Sequence, residues 1–250
     1  MARGVDSVSE VPDELSDFEA DGFITEVLGK IKEGKEAEVY LCAAGERTGE
    51  RYLAAKVHRS LAHRRFRDDG IYREGRVVAS RTVRKALEKR SRFGQEMIGA
   101  TWLGAEYHAL RDMEAAGVRV PRVWARAERA LLLTFLGSAE GEAAPPLYAV
   151  RPTTAEAWAL WRDLERSVAR ALAANLVHAD LSPYNVLVVG REPYLIDWPQ
   201  AVDPRANGNA RWLLERDVEN VLAYLRRHGV TADPRAIAVR LWQRWERGEL

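Results

Sequence analysis

From Phe23 to Val57 the chain reads as strand, with short apolar runs broken by polar turns. Glu38-Val39-Tyr40-Leu41-Cys42 and Arg51 to Val57 flank a turn at Ala44-Gly45-Glu46-Arg47-Thr48-Gly49. Met97 to Ala116 changes period: Met97, Leu103, Tyr107, Leu110 and Met113 recur at helical steps, and the run stops at Gly117 before Pro121. Ala130-Leu131-Leu132-Leu133-Thr134-Phe135-Leu136 predicts a buried strand ending at Gly137, and the Gly/Glu/Ala/Pro-rich stretch 137–146 reads as a linker. Thr153-Thr154-Ala155-Glu156 is a capping box that opens a helix carrying Trp158, Trp161, Leu164, Val168 and Leu172 on one stripe, which predicts core packing. Two short strands follow, Val186 to Val189 and Tyr194 to Ile196, around a glycine-containing turn. Helices are predicted from about Ala210 to His228 and from Pro234 to Arg247, the last with Trp242 and Trp245 on its core side.

Between the capped helix and the two short strands stands the polar turn Val177 to Asn185, and the second strand ends in Asp197. A two-stranded ribbon of this length returns Asp197 close to Asn185, so two oxygen ligands meet where Mg²⁺ could be held against nucleotide phosphates. Asp180, slightly set back, is placed to accept a proton from an attacking hydroxyl. A lone Asp in a loop is more commonly a turn or cap residue. Here the set carries the reading, because His178, Asp180, Asn185 and Asp197 stand at the spacing of the kinase signature H-R-D-L-x-x-x-N followed by D-F-G. Ala179 takes the second position of that loop, Ser182 takes its lysine position, and the later triplet is Asp197-Trp198-Pro199.

The first half of the chain offers matching parts. Gly29-Lys30-Ile31-Lys32-Glu33-Gly34-Lys35-Glu36 precedes the strand at Glu38, and only Gly34 and Val39 fit the kinase glycine loop G-x-G-x-x-G-x-V. Lys56, at the end of an apolar strand, is costly to bury without an anionic partner. Glu106, near the middle of the 97–116 helix, is the candidate partner, although its spacing fits a solvent-facing glutamate equally well. In a two-lobed enzyme the strand ending at Gly137 is the hinge, with Leu136 offering backbone groups to an adenine.

Charge changes this picture locally. The formal net charge of +1 over 250 residues argues against a wholesale nucleic-acid or membrane binder. Residues 1–21 carry seven acids against one base, Arg3, which predicts a solvated or disordered lead-in. Residues 59–92 carry twelve Arg and Lys against four acids. The one cysteine, Cys42, excludes an intrachain disulfide and fits a reducing cytosol. No secretory signal or membrane-spanning apolar run appears, so a cytoplasmic protein is expected.

The chain resembles the RIO family of atypical serine protein kinases. The resemblance lies in Glu33-Gly34-Lys35-Glu36-Ala37-Glu38-Val39-Tyr40, Ala55-Lys56-Val57, Trp102 with Glu106, His178-Ala179-Asp180-Leu181-Ser182-Pro183-Tyr184-Asn185, Ile196-Asp197-Trp198-Pro199-Gln200-Ala201-Val202 and Arg216-Asp217-Val218. It covers about 23–225. It implies an α+β, bilobal protein-kinase-like fold: an acidic extension 1–22, an antiparallel-sheet N-lobe 23–137 with a basic flexible loop 59–96, and a reduced helical C-lobe 138–250. By the same resemblance Gly34, Lys35 and Glu36 line a phosphate loop beside Val39, with Ser182 also near the phosphates. Lys56 holds the α- and β-phosphates of ATP and pairs with Glu106. Asn185 and Asp197 bind Mg²⁺ or Mn²⁺, and Asp180 orients or deprotonates the acceptor. The 22 residues before Phe23 leave no room for the winged helix of one subgroup, which favours the other. Thr134, where the family's hinge usually has an acid, and Trp198, in place of a smaller residue, depart from the pattern.

Only 53 residues follow Asp197, without an A-P-E, so the usual peptide platform is not expected. The acceptor would be the chain's own Ser80, Thr82 or Ser91, a docked protein, or water. Transient phosphorylation of Asp197 in an ATPase cycle is a further implication of the family. Two other readings compete: a small-molecule phosphotransferase of the aminoglycoside or choline kinase type, and an ATP-switched factor whose basic 59–92 segment contacts ribosomal RNA or a ribosome-assembly partner. No membrane partner is expected.

Overall fold

The computed structural model describes residues 12–34, 37–59 and 92–250. Its contacts divide the chain into two compact units. The first holds the described residues up to Tyr107 together with Pro121–Ala143, and the second holds His108–Val120 and Ala144–Leu250.

The first unit is built on a five-stranded antiparallel sheet: β1 (Ile24–Glu33), β2 (Ala37–Ala44), β3 (Tyr52–His58), β4 (Val123–Arg126) and β5 (Ala130–Thr134), in the order β1-β2-β3-β5-β4. Strand β1 lies inside the stretch from Phe23 that reads as strand, and it takes in Gly29 to Glu33, ahead of the first strand named from the sequence at Glu38. Register shifts between Ile24 and Glu26, Val27 and Gly29, and Lys30 and Lys32 scramble its alternation, so a period of two is not visible in the residues.

A five-residue helix, α1 (Ser16–Ala20), precedes the sheet. The expected solvated lead-in is wrong for this part, because Leu15 and Phe18 are each only 1% exposed. They stand three residues apart on one face and enter a core cluster with Ile24, Tyr40, Cys42, Leu53, Ala55 and Leu132. Burial pushes the Cys42 thiol up to about 12, leaving it a small apolar filler.

Helix α2 (Arg92–Ala115) ends in a Schellman motif, with Val118 N–H on Met113 O, Gly117 N–H on Glu114 O, and Gly117 at φ +71°. In the second unit α3 (Thr154–Ala173) opens with the full capping box between Thr153 and Glu156. Its stripe of Leu160, Trp161, Leu164 and Leu172 is buried. The helix stops at Asn175, φ +59°, in a second Schellman motif, and the Trp245 indole donates to Asn175 Oδ1. The short ribbon β6 (Val186–Val189) and β7 (Glu192–Leu195) follows, then α4 (Ala210–Leu225) and α5 (Pro234–Glu246). Among the described residues no helix is long and apolar enough to cross a membrane.

Removing the Phe18 side chain tests the docked N-terminal helix. Phe18→Ala is expected to lower the unfolding free energy by about 3–5 kcal/mol in urea titration, whereas a solvated lead-in predicts no change.

Candidate active site

Each unit carries its own polar constellation. In the first, Lys56 on β3 faces Val39 across the ladder, and its Nζ donates to Glu106 Oε1 at 2.6 Å. The Glu106 side chain is 1% exposed and that of Lys56 14% exposed. His58 Nε2 lies 3.3 Å from the other carboxylate oxygen, Oε2. Glu106 is on the core side of α2, one turn after Trp102 and Leu103 and one before Leu110, so the solvent-facing alternative is excluded. A carboxylate this deep holds its charge only against cationic partners.

At the β1–β2 turn, Gly34 N–H reaches Ala37 O at 2.9 Å. Lys35 and Glu36, expected to line a phosphate loop, lie outside the described residues, as does most of the basic 59–96 segment with Ser80, Thr82 and Ser91. Arg59 bridges the two ends of this turn, with hydrogen bonds to Glu33 and to Glu38. The Tyr40 hydroxyl donates to Glu38 Oε2 at 2.5 Å. That bond, with help from Arg59 and Lys30, holds the Glu38 carboxyl down to about 2 against the effect of burial. Leu136 follows β5, half-buried. A Cβ on Gly137 would come 2.3 Å from Glu142 O, so the chain after Leu136 closes on itself only because that residue lacks a side chain.

The second unit brings Asp180 and Asn185 together and fixes the backbone beside Asp197. Asn185 Nδ2 donates to Asp180 O at 2.8 Å and lies 3.4 Å from Asp180 Oδ2. Ile196 N–H donates to Asn185 O at 3.0 Å, which ties the residue before Asp197 to the loop. Val177 and Val202 exchange two backbone bonds of 2.9 Å each below this turn. His178 Nδ1 accepts from Asp180 N–H at 3.3 Å, so its Nε2 carries the proton that meets Ile196 O at 3.1 Å. The His178 ring packs on Trp198, centroids 4.4 Å apart, and the fully buried Trp198 donates its indole N–H to Leu195 O. Trp198, a departure from the family pattern, is thus core under the loop. Ser182 accepts from Tyr184 N–H through its hydroxyl at 3.3 Å and from Asn185 N–H through its carbonyl at 3.0 Å.

Ala179 and Asp197 both adopt left-handed backbone, at φ +64° and +69°. For alanine this costs about 1–2 kcal/mol, and Asp217 of α4 offsets it. Its carboxylate accepts Ala179 N–H at Oδ2, 2.7 Å, and Leu181 N–H at Oδ1, 3.0 Å. Complete burial pushes the Asp217 carboxyl up to about 8, while the two amide bonds and Arg216 pull it down and Asp180 pushes it further up. Asp217 carries no role in the sequence reading, although a signal exists. It stands four residues after Leu213 and four before Val221, an acid in the middle of a buried apolar stripe.

The family model of the RIO domain matches residues 38–237. The chain belongs to the RIO family. It is 32% identical over 223 residues to the RIO-type serine/threonine-protein kinase Rio1 of Haloferax volcanii, covering 85% of this chain and 68% of the relative. It is 31% identical over 217 residues to the serine/threonine-protein kinase RIO1 of Chaetomium thermophilum, covering 83% of this chain and 40% of the relative. The chain therefore spans well under half of that fungal protein. The fold is similar to that of the Rio2 kinase–ADP/Mg²⁺–phosphoaspartate complex of Chaetomium thermophilum, with a TM-score of 0.62, 18% identity, and coverage of 94% of this chain and 72% of that one. The RIO chain accordingly has the α+β, protein-kinase-like fold, with a sheet-based unit and a mainly helical one.

Two measurements follow from the buried acids. Glu106→Ala leaves Lys56 half of an ion pair and is expected to cost about 3–5 kcal/mol in denaturant titration, with much of it recovered when Lys56 is also made apolar. For Asp217, an unfolded aspartate titrates near 4 and the folded one at about 8. Between these values the folded state holds the extra proton, so unfolding free energy declines as pH rises from about 4 to 8. That decline should be present in the wild type and missing from Asp217→Asn. A constant difference between the two proteins would mean that the amides and Arg216 keep the carboxylate ionised.

Proposed function

We propose that this RIO chain is an ATP-dependent serine/threonine kinase that transfers the γ-phosphate to a hydroxyl with Mg²⁺. The observation that carries the reading is the Asp180–Asn185 hydrogen bond, joined through Ile196 to the turn that presents Asp197. That linkage supports Asp180 as the proton acceptor and Asn185 and Asp197 as the oxygen ligands. The protein-kinase names of the relatives favour this reading over small-molecule transfer and over RNA binding.

The residues suit the cation. Among the described residues no cluster of three or more His, Cys, Asp and Glu stands ready for a metal. Mg²⁺ is commonly held by one or two protein oxygens, with phosphate oxygens and waters completing its shell. Asn185 gives its Nδ2 to Asp180, which leaves Oδ1 as the atom that would join the Asp197 carboxylate in holding the ion. Bound there, the ion would neutralise charge on the β- and γ-phosphates. The ADP/Mg²⁺ complex of the Rio2 relative supports Mg²⁺, with no matching support for Mn²⁺.

The remaining roles belong to the chain's own side chains. Lys56, fixed by Glu106, would hold the α- and β-phosphates as a point charge. Gly34, Lys35 and Glu36 with Val39 would cover the phosphates, Ser182 would donate to them, and Leu136 would present its backbone to the adenine. Asp180 would take the acceptor proton. Its His178-bonded amide and Asn185-bonded carbonyl hold the backbone in place while the carboxylate acts.

A second reading, hydrolysis through a phosphorylated Asp197, is favoured by the phosphoaspartate of the Rio2 relative. Incubation with γ-labelled ATP and Mg²⁺ separates the two, because phosphoserine survives acid and an aspartyl phosphate is released by hydroxylamine. Acid-stable label is expected on the wild type, reduced roughly 10²- to 10⁴-fold in Asp180→Asn and lost in Asp197→Asn. Hydroxylamine-labile label that disappears only in Asp197→Asn would shift the assignment to the ATPase cycle. Absence of both label and free phosphate from the wild type would overturn the reading.

A further inference from the structure

The backbone on both sides of Asp180 is held by one helix face. Asp217 takes the amides of Ala179 and Leu181. The corresponding carbonyls are taken as well: Arg216 Nη2 donates to Ala179 O, and Asn220 Nδ2 donates to Leu181 O at 3.1 Å. All four polar backbone groups flanking Asp180 are therefore paired with side chains of α4. Arg216 and Asn220 are four residues apart, on the same side of the helix, with Asp217 between them. Arg216 is itself steadied, since its guanidinium lies 5.1 Å from the centre of the Trp212 ring. Trp212 is 51% exposed, one turn earlier on the helix, so hydrophobic burial alone does not account for a tryptophan there.

We propose that Arg216 and Asn220 are positioning residues for Asp180, and that Trp212 orients Arg216. The inference rests on the kinase reading of Asp180. Left-handed Ala179 has no polar side chain to stabilise its own conformation. Asp217 holds the amides of the 178–179 and 180–181 peptides, which leaves the alternate peptides to other partners. Arg216 holds the carbonyl of the 179–180 peptide and Asn220 that of the 181–182 peptide, so four successive peptides around Asp180 are each fixed from α4, and the swing of the Asp180 carboxylate is reduced. Arg216 and Asn220 touch no part of the nucleotide in this scheme, so their removal should lower kcat and leave the KM for ATP in place.

The test uses the full chain, with Arg216→Ala, Arg216→Lys, Asn220→Ala and Trp212→Ala, each also made in an Asp180→Asn background. Arg216→Ala is expected to lower kcat roughly 10- to 100-fold, with the KM for ATP changed less than about twofold and the thermal midpoint retained. Arg216→Lys, which keeps one donor, should recover most of that loss, and Trp212→Ala on an exposed side chain should give a smaller fall of about threefold. In the Asp180→Asn background Arg216→Ala should add less than about twofold, because residues acting as a unit are not additive. Equal losses in both backgrounds, or a loss confined to KM, would overturn the proposal. Amide hydrogen exchange across 178–182 tests the clamp without turnover. It should quicken in Arg216→Ala and Asn220→Ala, and unchanged exchange would overturn the proposal even in a protein that proves inactive. An inactive wild type with quickened exchange in the variants would sink the kinase reading and leave the clamp standing.

Discussion

A carboxylate removed from water must fill its oxygens with donors, and that requirement shapes both halves of this molecule. In the second unit, Asp217 is 2% exposed and meets it with two backbone amides, one on each side of Asp180. The loop can take this shape only with Ala179 left-handed, and helix α4 can present Asp217 only where its apolar stripe is already buried. The fold of the loop and the packing of the helix therefore stabilise one another. Neither is a separate decoration on the other.

The first unit meets its buried carboxylate with a cation instead. Glu106 enters the core side of α2 and is met by Lys56 from β3, with His58 near its second oxygen. In water such a pair contributes little, but at this depth the lysine and the glutamate each make the other's burial tolerable. Lys56, an ammonium on a flexible stem, is thereby fixed in direction by a residue fifty positions away.

Much of this was legible before the structure. The spacing of Asp180, Asn185 and Asp197 identified the loop and ribbon because short hairpins have little geometric choice. The capping box at Thr153 and Glu156 placed the start of α3 to the residue. Other parts were hidden for stated reasons. Three register shifts erase the alternation of β1. Strand β4 has four residues and a mostly half-buried pattern, so no period can show. Leu15 and Phe18 were masked by the acids around them, since charge count along a segment says nothing about which face is apolar. Asp217 was visible as a charge in a helix, but only the depth of the stripe around it reveals that it must be answered by backbone donors.

The pair of bonds between Val177 and Val202 joins the strand entering the loop to the segment leaving the ribbon, with His178 linked to Ile196 and Asn185 to Ile196 above it. These crosslinks make a closed ring of chain with Asp180 on one arm and Asp197 on the other. A closed ring has fewer ways to deform than two free loops. Thermal jostling that shifts one arm drags the other with it, so the spacing between the two acids fluctuates less than the position of either. In the transfer proposed above, where a proton acceptor and a cation ligand would act on the same group, constancy of that separation would matter more than immobility.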